Sequence, residues 1–148
     1  LAALPEAGHA GEPLAPPARE IVLLVNGSID RTTDGVAALF DLPLLESLGL
    51  TTFTAAMPGD GGPALFEGVP TARLLEHVGA GGATLTLRTF DDERVEMAVA
   101  DLGARGAMLA VKRDGRPLDP ETQGPVALIL ADGGRSRCIV RLASLTVD

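Results

Sequence analysis

Glycine and proline punctuate this chain so closely that every apolar segment between them is short. Pro58-Gly59-Asp60-Gly61-Gly62-Pro63, Gly79-Ala80-Gly81-Gly82, Asp114-Gly115 and Asp132-Gly133-Gly134 all act as turn or stop signals. Proline removes a backbone donor, and glycine admits the left-handed backbone that ends helices and tightens hairpins. Long helices are excluded by this spacing, and short strands with brief helical pieces are what remain.

The segments are legible one by one. Residues 21–29 form a leucine and β-branched run closing on Asn26-Gly27, a first strand, and residues 30–35 are a polar loop. Asp41 caps a short helix with Pro43 in its first turn, Leu42, Leu45 and Leu48 at helical spacing, and Gly49 as its stop. Residues 51–57 read as a strand that delivers its end to the Pro58–Pro63 loop. Residues 71–78 read as a second helix with Leu74, Leu75 and Val78 inward. Residues 84–90 and 93–99 alternate around Asp91-Asp92 as a hairpin, with Val95, Met97 and Val99 on one face. Strands follow at 108–113, 126–131 and 138–147. The expected class is α+β, mostly β in mixed sheets with two short helices. The domain spans 21–148 behind a flexible Ala/Pro-rich segment, 1–20, in which Pro5, Pro13, Pro16 and Pro17 hold an extended linker or strap.

Composition narrows the function classes. A chain of 148 residues suits one domain that buries roughly two thirds of its unfolded surface without a disulfide or metal staple. Hydrophobic residues make up 46% of it but aromatic ones only 3%, with no Trp or Tyr, so the core is aliphatic and ligand binding by aromatic stacking is disfavoured. A net charge of -8, from 20 acidic and 12 basic residues, opposes nucleic acid and anionic membrane surfaces. One cysteine rules out a disulfide framework and a Cys-rich zinc or iron-sulfur site, and no apolar run has membrane-spanning length. The Ala, Pro, Gly and Glu of residues 1–20, starting at Leu1, resemble the leading edge of a mature exported protein, so a periplasmic or otherwise exported location is expected.

The residues that invite a catalytic reading each have a simpler one. Neither glycine cluster carries the Lys-Ser/Thr of a P-loop. Asp91, Asp92 and Glu93 belong to an exposed hairpin tip. His77 ends a helix, where a protonated imidazole meets the negative end of the dipole. Cys138 opens the apolar run Cys138-Ile139-Val140 as a small buried hydrophobe, with Arg135 and Arg137 close enough in sequence to lower a thiol pKa, and His9 lies in the N-terminal segment. No serine stands in a G-x-S-x-G elbow. Structural roles are expected for these residues, with a reactive Cys138 thiol as the alternative, and no catalytic group or metal ligand is assigned among them.

An ordered set of phrases points to a family. Val25-Asn26-Gly27-Ser28-Ile29, Phe40-Asp41-Leu42 with Leu45, Phe66-Glu67-Gly68-Val69 with Leu74-Leu75, and Asp114-Gly115-Arg116-Pro117-Leu118 followed by Gly124-Pro125 occur in this order over residues 21–147. Together they resemble the oxidoreductase molybdopterin-binding domain family of the sulfite oxidase type. The resemblance implies that family's α+β fold and a cleft between residues 54–62 and the 114–118 turn. In catalytic members a cysteine thiolate completes the sulfur-rich coordination of molybdenum. The equivalent position here falls at about Ala55, which cannot ligate. The family's Lys-Trp pair is replaced around Val140-Arg141, and its active-site tyrosine has no counterpart. Converging donors for a pterin phosphate would come from Arg88, Arg113, Arg135 and Arg137. The cleft residues implied are Thr54, Ala55, Arg88, Arg113, Asp114 and Arg137.

The expected role is a periplasmic module binding a small ligand or a partner, without cysteine-ligated molybdenum chemistry and without a cofactor. Two alternatives stay open. One is a molybdopterin-dependent oxidoreductase in which Thr54, solvent or nothing replaces the thiolate; the other is a protein-interaction subunit.

Overall fold

The structure, a computed structural model, describes residues 13–56, 62–104, 106–132 and 135–148, with the side chains of 104 and 131–137 outside that description. The elements in chain order are β1 (Leu23–Gly27), β2 (Ala38–Phe40), α1 (Leu42–Glu46), β3 (Thr51–Ala55), β4 (Ala64–Pro70), α2 (Thr71–His77), β5 (Thr84–Thr89), β6 (Arg94–Ala98), α3 (Val99–Ala104), β7 (Met108–Arg113), β8 (Arg116–Pro117), β9 (Ala127–Asp132), β10 (Arg135–Ile139) and β11 (Leu142–Val147). The first sheet has the order β2-β1-β11-β5-β6, with β1 and β11 parallel and the other pairs antiparallel. The second is antiparallel in the order β10-β9-β7-β4-β3, with β8 paired to β7.

One core serves both sheets. It takes Leu23, Val25, Leu85, Leu87 and Leu145 from the first sheet, Leu109, Val111, Leu128 and Leu130 from the second, and Leu45, Leu74 and Leu102 from the helices. A smaller apolar cluster lies on the second sheet around Ala55, Phe66, Ala110, Leu118, Ala127 and Ile129. Burial on this scale drives folding at about 25 cal/mol per Å² of apolar surface, and here aliphatic side chains supply nearly all of it.

The described residues contain three helices, where sequence patterning led us to expect two. The strand expected over 93–99 stops at Ala98. Val99 donates its N–H to Ala83 O at 2.9 Å and starts α3, which buries Leu102. The strand expected over 138–147 is two strands in different sheets, because the chain turns at Arg141 with φ of +53°. Strands β2 and β4 carry no clear alternation and were not expected. Yet β4 lies inside the second sheet, hydrogen-bonded to β3 on one side and β7 on the other.

Gly68 explains how β4 is accommodated. The β4–β7 register slips between Glu67 and Gly68. A Cβ on Gly68 would strike the Leu109 carbonyl oxygen and come within 2.9 Å of the Ala110 Cα. The glycine is needed for close backbone approach, one of its standard uses in a strand. Substituting Gly68→Ala is expected to destabilise the protein by about 1–3 kcal/mol through overpacking, read as a lowered unfolding midpoint in denaturant; an unchanged midpoint would refute the close approach.

Asp41 organises the start of α1 and the segment before β1. Its Oδ1 accepts from the Leu44 N–H at 2.9 Å and caps α1, with Pro43 in the first turn. Its Oδ2 accepts from the N–H groups of Ala18 and Arg19, each at 2.9 Å. Residues 13–20 are thereby laid against the domain, and Leu14, 7% exposed, joins the main core. Residues 1–12, with His9, lie outside the described residues. Burial alone would raise the Asp41 pKa, but the three backbone donors outweigh it and hold the carboxyl below its ordinary range.

Because the folded pKa is depressed, Asp41 contributes stability above its unfolded pKa, and this is lost as pH falls through the folded value. Asp41→Ala is expected to cost roughly 2–4 kcal/mol, from the lost cap and two stranded amides. Asp41→Asn should recover only part, since its NH2 would face donors. Urea titrations at pH 7 and pH 3 should show the variants closest to wild type at the lower pH.

Candidate functional site

The β-branched threonines of Thr51-Thr52-Phe53-Thr54-Ala55 favour a strand, and β3 forms an edge of the second sheet. Alternation sends Phe53 and Ala55 to one face and Thr52 and Thr54 to the other. Ala55 is 6% exposed and packs in the smaller apolar cluster, where Phe53 stacks on Phe66 with centroids 5.8 Å apart. Thr54 is exposed and lies opposite Leu65 of β4. Met57 and the Pro58–Gly61 part of the following loop lie outside the described residues.

The Asp114-Gly115 turn reaches the same end of the sheet. Both residues are left-handed, with φ of +51° and +82°, as a two-residue hairpin connection requires. Asp114 donates its N–H to Leu65 O at 2.7 Å and accepts from the Leu65 N–H at 3.3 Å through Oδ1, while Oδ2 lies 3.9 Å from Arg113 Nε. Arg113 stands opposite Phe66 in the ladder. Thr54, Ala55, Arg113 and Asp114 are thus gathered at one end of the second sheet. The Asp114 carboxylate is engaged in closing the β4–β7 ladder.

Arg88 and Arg137 lie elsewhere. Arg88 is on β5, in the first sheet, exposed on the face opposite the inward Leu85 and Leu87. Arg137 pairs with Leu130 on β10, the edge of the second sheet farthest from β3, and its side chain, like that of Arg135, lies outside the described residues. Cys138, the single thiol, packs at the margin of the cluster that contains Ala55, but from β10. The donor set does not match cysteine-type molybdenum ligation: Ala55 has no lone pair, and Thr54 offers a hard hydroxyl on the other face of the strand. Among the described residues, no three His, Cys, Asp or Glu side chains are placed to hold a metal ion.

A groove that patterning did not reveal borders the 114–118 turn. It has a volume of about 430 Å³ and is walled by Val22, Leu42, Pro43, Pro117, Leu118 and Pro125, with Arg19 and Glu20 among its polar lining residues. Its walls come from the strap, α1 and the loop after β8. The sequence signal was the proline density after Gly115, which marks irregular backbone without showing what faces it.

At His77 the pKa is shifted downward, opposite to the effect of a helix C-terminus alone. Burial beside Phe40 lowers its pKa, and the positive charge of Arg31 lowers it further. Arg31 itself donates to the His77 carbonyl at 3.1 Å and so occupies the helix C-terminus as the cation. With the folded pKa below the ordinary 6.5, the unfolded chain binds more protons just below that value, and stability falls as pH drops through this window. Thermal unfolding of His77→Gln should therefore show a smaller loss between pH 7 and pH 5 than wild type; an equal loss would contradict it.

No family model matches this sequence, and no curated protein matches it. Among solved structures, the sulfane dehydrogenase SoxCD from Paracoccus pantotrophus is similar in fold, with a TM-score of 0.65 at 18% identity, over 84% of this chain and 37% of that chain. This chain therefore spans well under half of that structure's length. The shared architecture is the α+β fold of the sulfite oxidase type, with mixed sheets and short helices.

Proposed function

We propose that this chain is a binding domain on a sulfite-oxidase-type scaffold, working without cysteine-ligated molybdenum and taking a small ligand or a partner segment in the groove beside the 114–118 turn. The observation that carries this reading is Ala55. At the position where the resemblance places the ligating thiolate, a methyl group is packed against Phe66 and its neighbours. The groove supports the second half of the reading, since apolar walls with a few polar groups are the usual make-up of a small-molecule site.

A molybdopterin-dependent oxidoreductase is the competing reading. It is favoured by the fold shared with a dehydrogenase and by the exposed Thr54 hydroxyl near the Asp114 turn. The two are separated by elemental analysis for molybdenum, together with pterin fluorescence after acid oxidation, on protein made in a molybdate-fed host able to make the cofactor. Neither metal nor pterin is expected in the folded protein. One of each per chain would overturn the proposal and make Thr54→Ala the next variant.

A further inference from the structure

The outer face of the first sheet carries chemistry that the groove does not use. The register across β1, β11, β5 and β6 sets Asn26, Thr146, Thr86 and Glu96 in one row and Leu24, Ser144, Arg88 and Arg94 in the next. Asn26, Thr86, Arg88, Arg94, Ser144 and Thr146, with Asp148, line a concavity of about 410 Å³. Arg88 and Arg94 stand directly opposite each other, a placement that puts Cβ atoms about 4.5–5.5 Å apart and is destabilising for like charges. Among the described residues neither guanidinium forms an ion pair. In a chain with 20 acidic and 12 basic residues, two facing and unneutralised arginines stand out.

Neutral donors lie beside them. The Thr146 hydroxyl donates to Asn26 Oδ1 at 2.7 Å, which leaves the Asn26 NH2 group to donate outward. Ser144 and Thr86 add hydroxyls that rotate to suit an acceptor. The Asp148 carboxyl group also lines the concavity, while Glu96 is not among its lining residues and stands in the row next to that of the arginines.

We propose that Arg88 and Arg94, with Ser144 and the neighbouring Asn26, Thr86 and Thr146, form a site for a tetrahedral dianion such as sulfate or hydrogenphosphate, either free or as the terminal group of a larger ligand. Two guanidinium forks and hydroxyl donors match the three or four charge-bearing oxygens of such a dianion, and the anion relieves the repulsion between the arginines.

The test is calorimetric unfolding and titration of wild type, Arg88→Gln and Arg94→Gln with sodium sulfate, sodium phosphate and methyl phosphate, each against sodium chloride at equal ionic strength. Wild type should show saturable stabilisation by the dianions, and each substitution should weaken binding roughly tenfold or more, the worth of one charge-assisted contact. Phosphate acting alone would identify phosphate as the ligand, and a stronger response to methyl phosphate a phosphoryl-bearing one. In chloride, both variants should unfold no lower than wild type, because the repulsion is gone. Equal dianion responses in all three proteins would overturn the proposal and leave only general salting-out. The site is independent of the groove and of cofactor content, so either reading can fail without the other.

Discussion

The fold depends on the crossing at Arg141, where the chain leaves one sheet and enters the other. After β10 the backbone turns left-handed at this residue, a conformation that costs a non-glycine residue roughly 1–2 kcal/mol. Tertiary contacts offset that cost. The Arg141 N–H donates to Gln123 O at 2.8 Å, and its carbonyl accepts from the Phe90 N–H at 2.9 Å. Its guanidinium donates to Pro120 O, pairs with Asp91 and lies over the Phe90 ring. The strand that follows, β11, is the link between the β1–β2 pair and the β5–β6 hairpin. Without the crossing, the first sheet would be two separate pairs, and two-stranded pairs are marginal in water.

Several of the short phrases that order residues 21–147 turn out to be devices of backbone construction. Gly68 permits the close approach of β4 to β7, Asp41 caps α1 and ties down residues 13–20, and Asp114 with Gly115 closes a ladder. Such positions are demanding because a backbone atom or a special φ leaves little choice of residue. Ala55 is under no such backbone demand: it needs only to fill an apolar site. A scaffold of this kind persists whatever its site does, which is why fold and function have to be argued separately.

Charge is arranged with the same economy. The carboxylate of Asp41 is buried but met by three N–H donors, and the pKa of His77 is lowered by burial and by Arg31, which itself donates to the carbonyl at the helix terminus. Lys112 lies 3.8 Å from Glu67 and 3.9 Å from Glu46. Beside these matched groups, the facing arginines of β5 and β6 have no ion-pair partner among the described residues.

What was legible in the sequence was local. The cap at Asp41, the second helix, expected over 71–78 and found over Thr71–His77, and the hairpin around Asp91-Asp92 follow from contacts within a few residues, and the structure contains them, while the first helix ends at Glu46, before the expected stop at Gly49. Strand β4 was not legible, because Gly68 and Pro70 interrupt its pattern and its place is decided by β3 and β7. Nor was the break at Arg141, since its partners at 90–91 and 120–123 are distant in the chain. For the candidate site, the resemblance grouped Thr54, Ala55, Arg88, Arg113, Asp114 and Arg137, of which Thr54, Ala55, Arg113 and Asp114 lie at one end of the second sheet while Arg137 is on its far edge strand. Only tertiary structure separated Arg88 from them, because the sheet a strand joins and the face a side chain takes are set by pairing partners and not by the residue itself. The sequence by itself determined the short elements, the aliphatic core and a chain with a single cysteine, Cys138; the assembly of the two sheets, the groove and the arginine pair depended on which strands met.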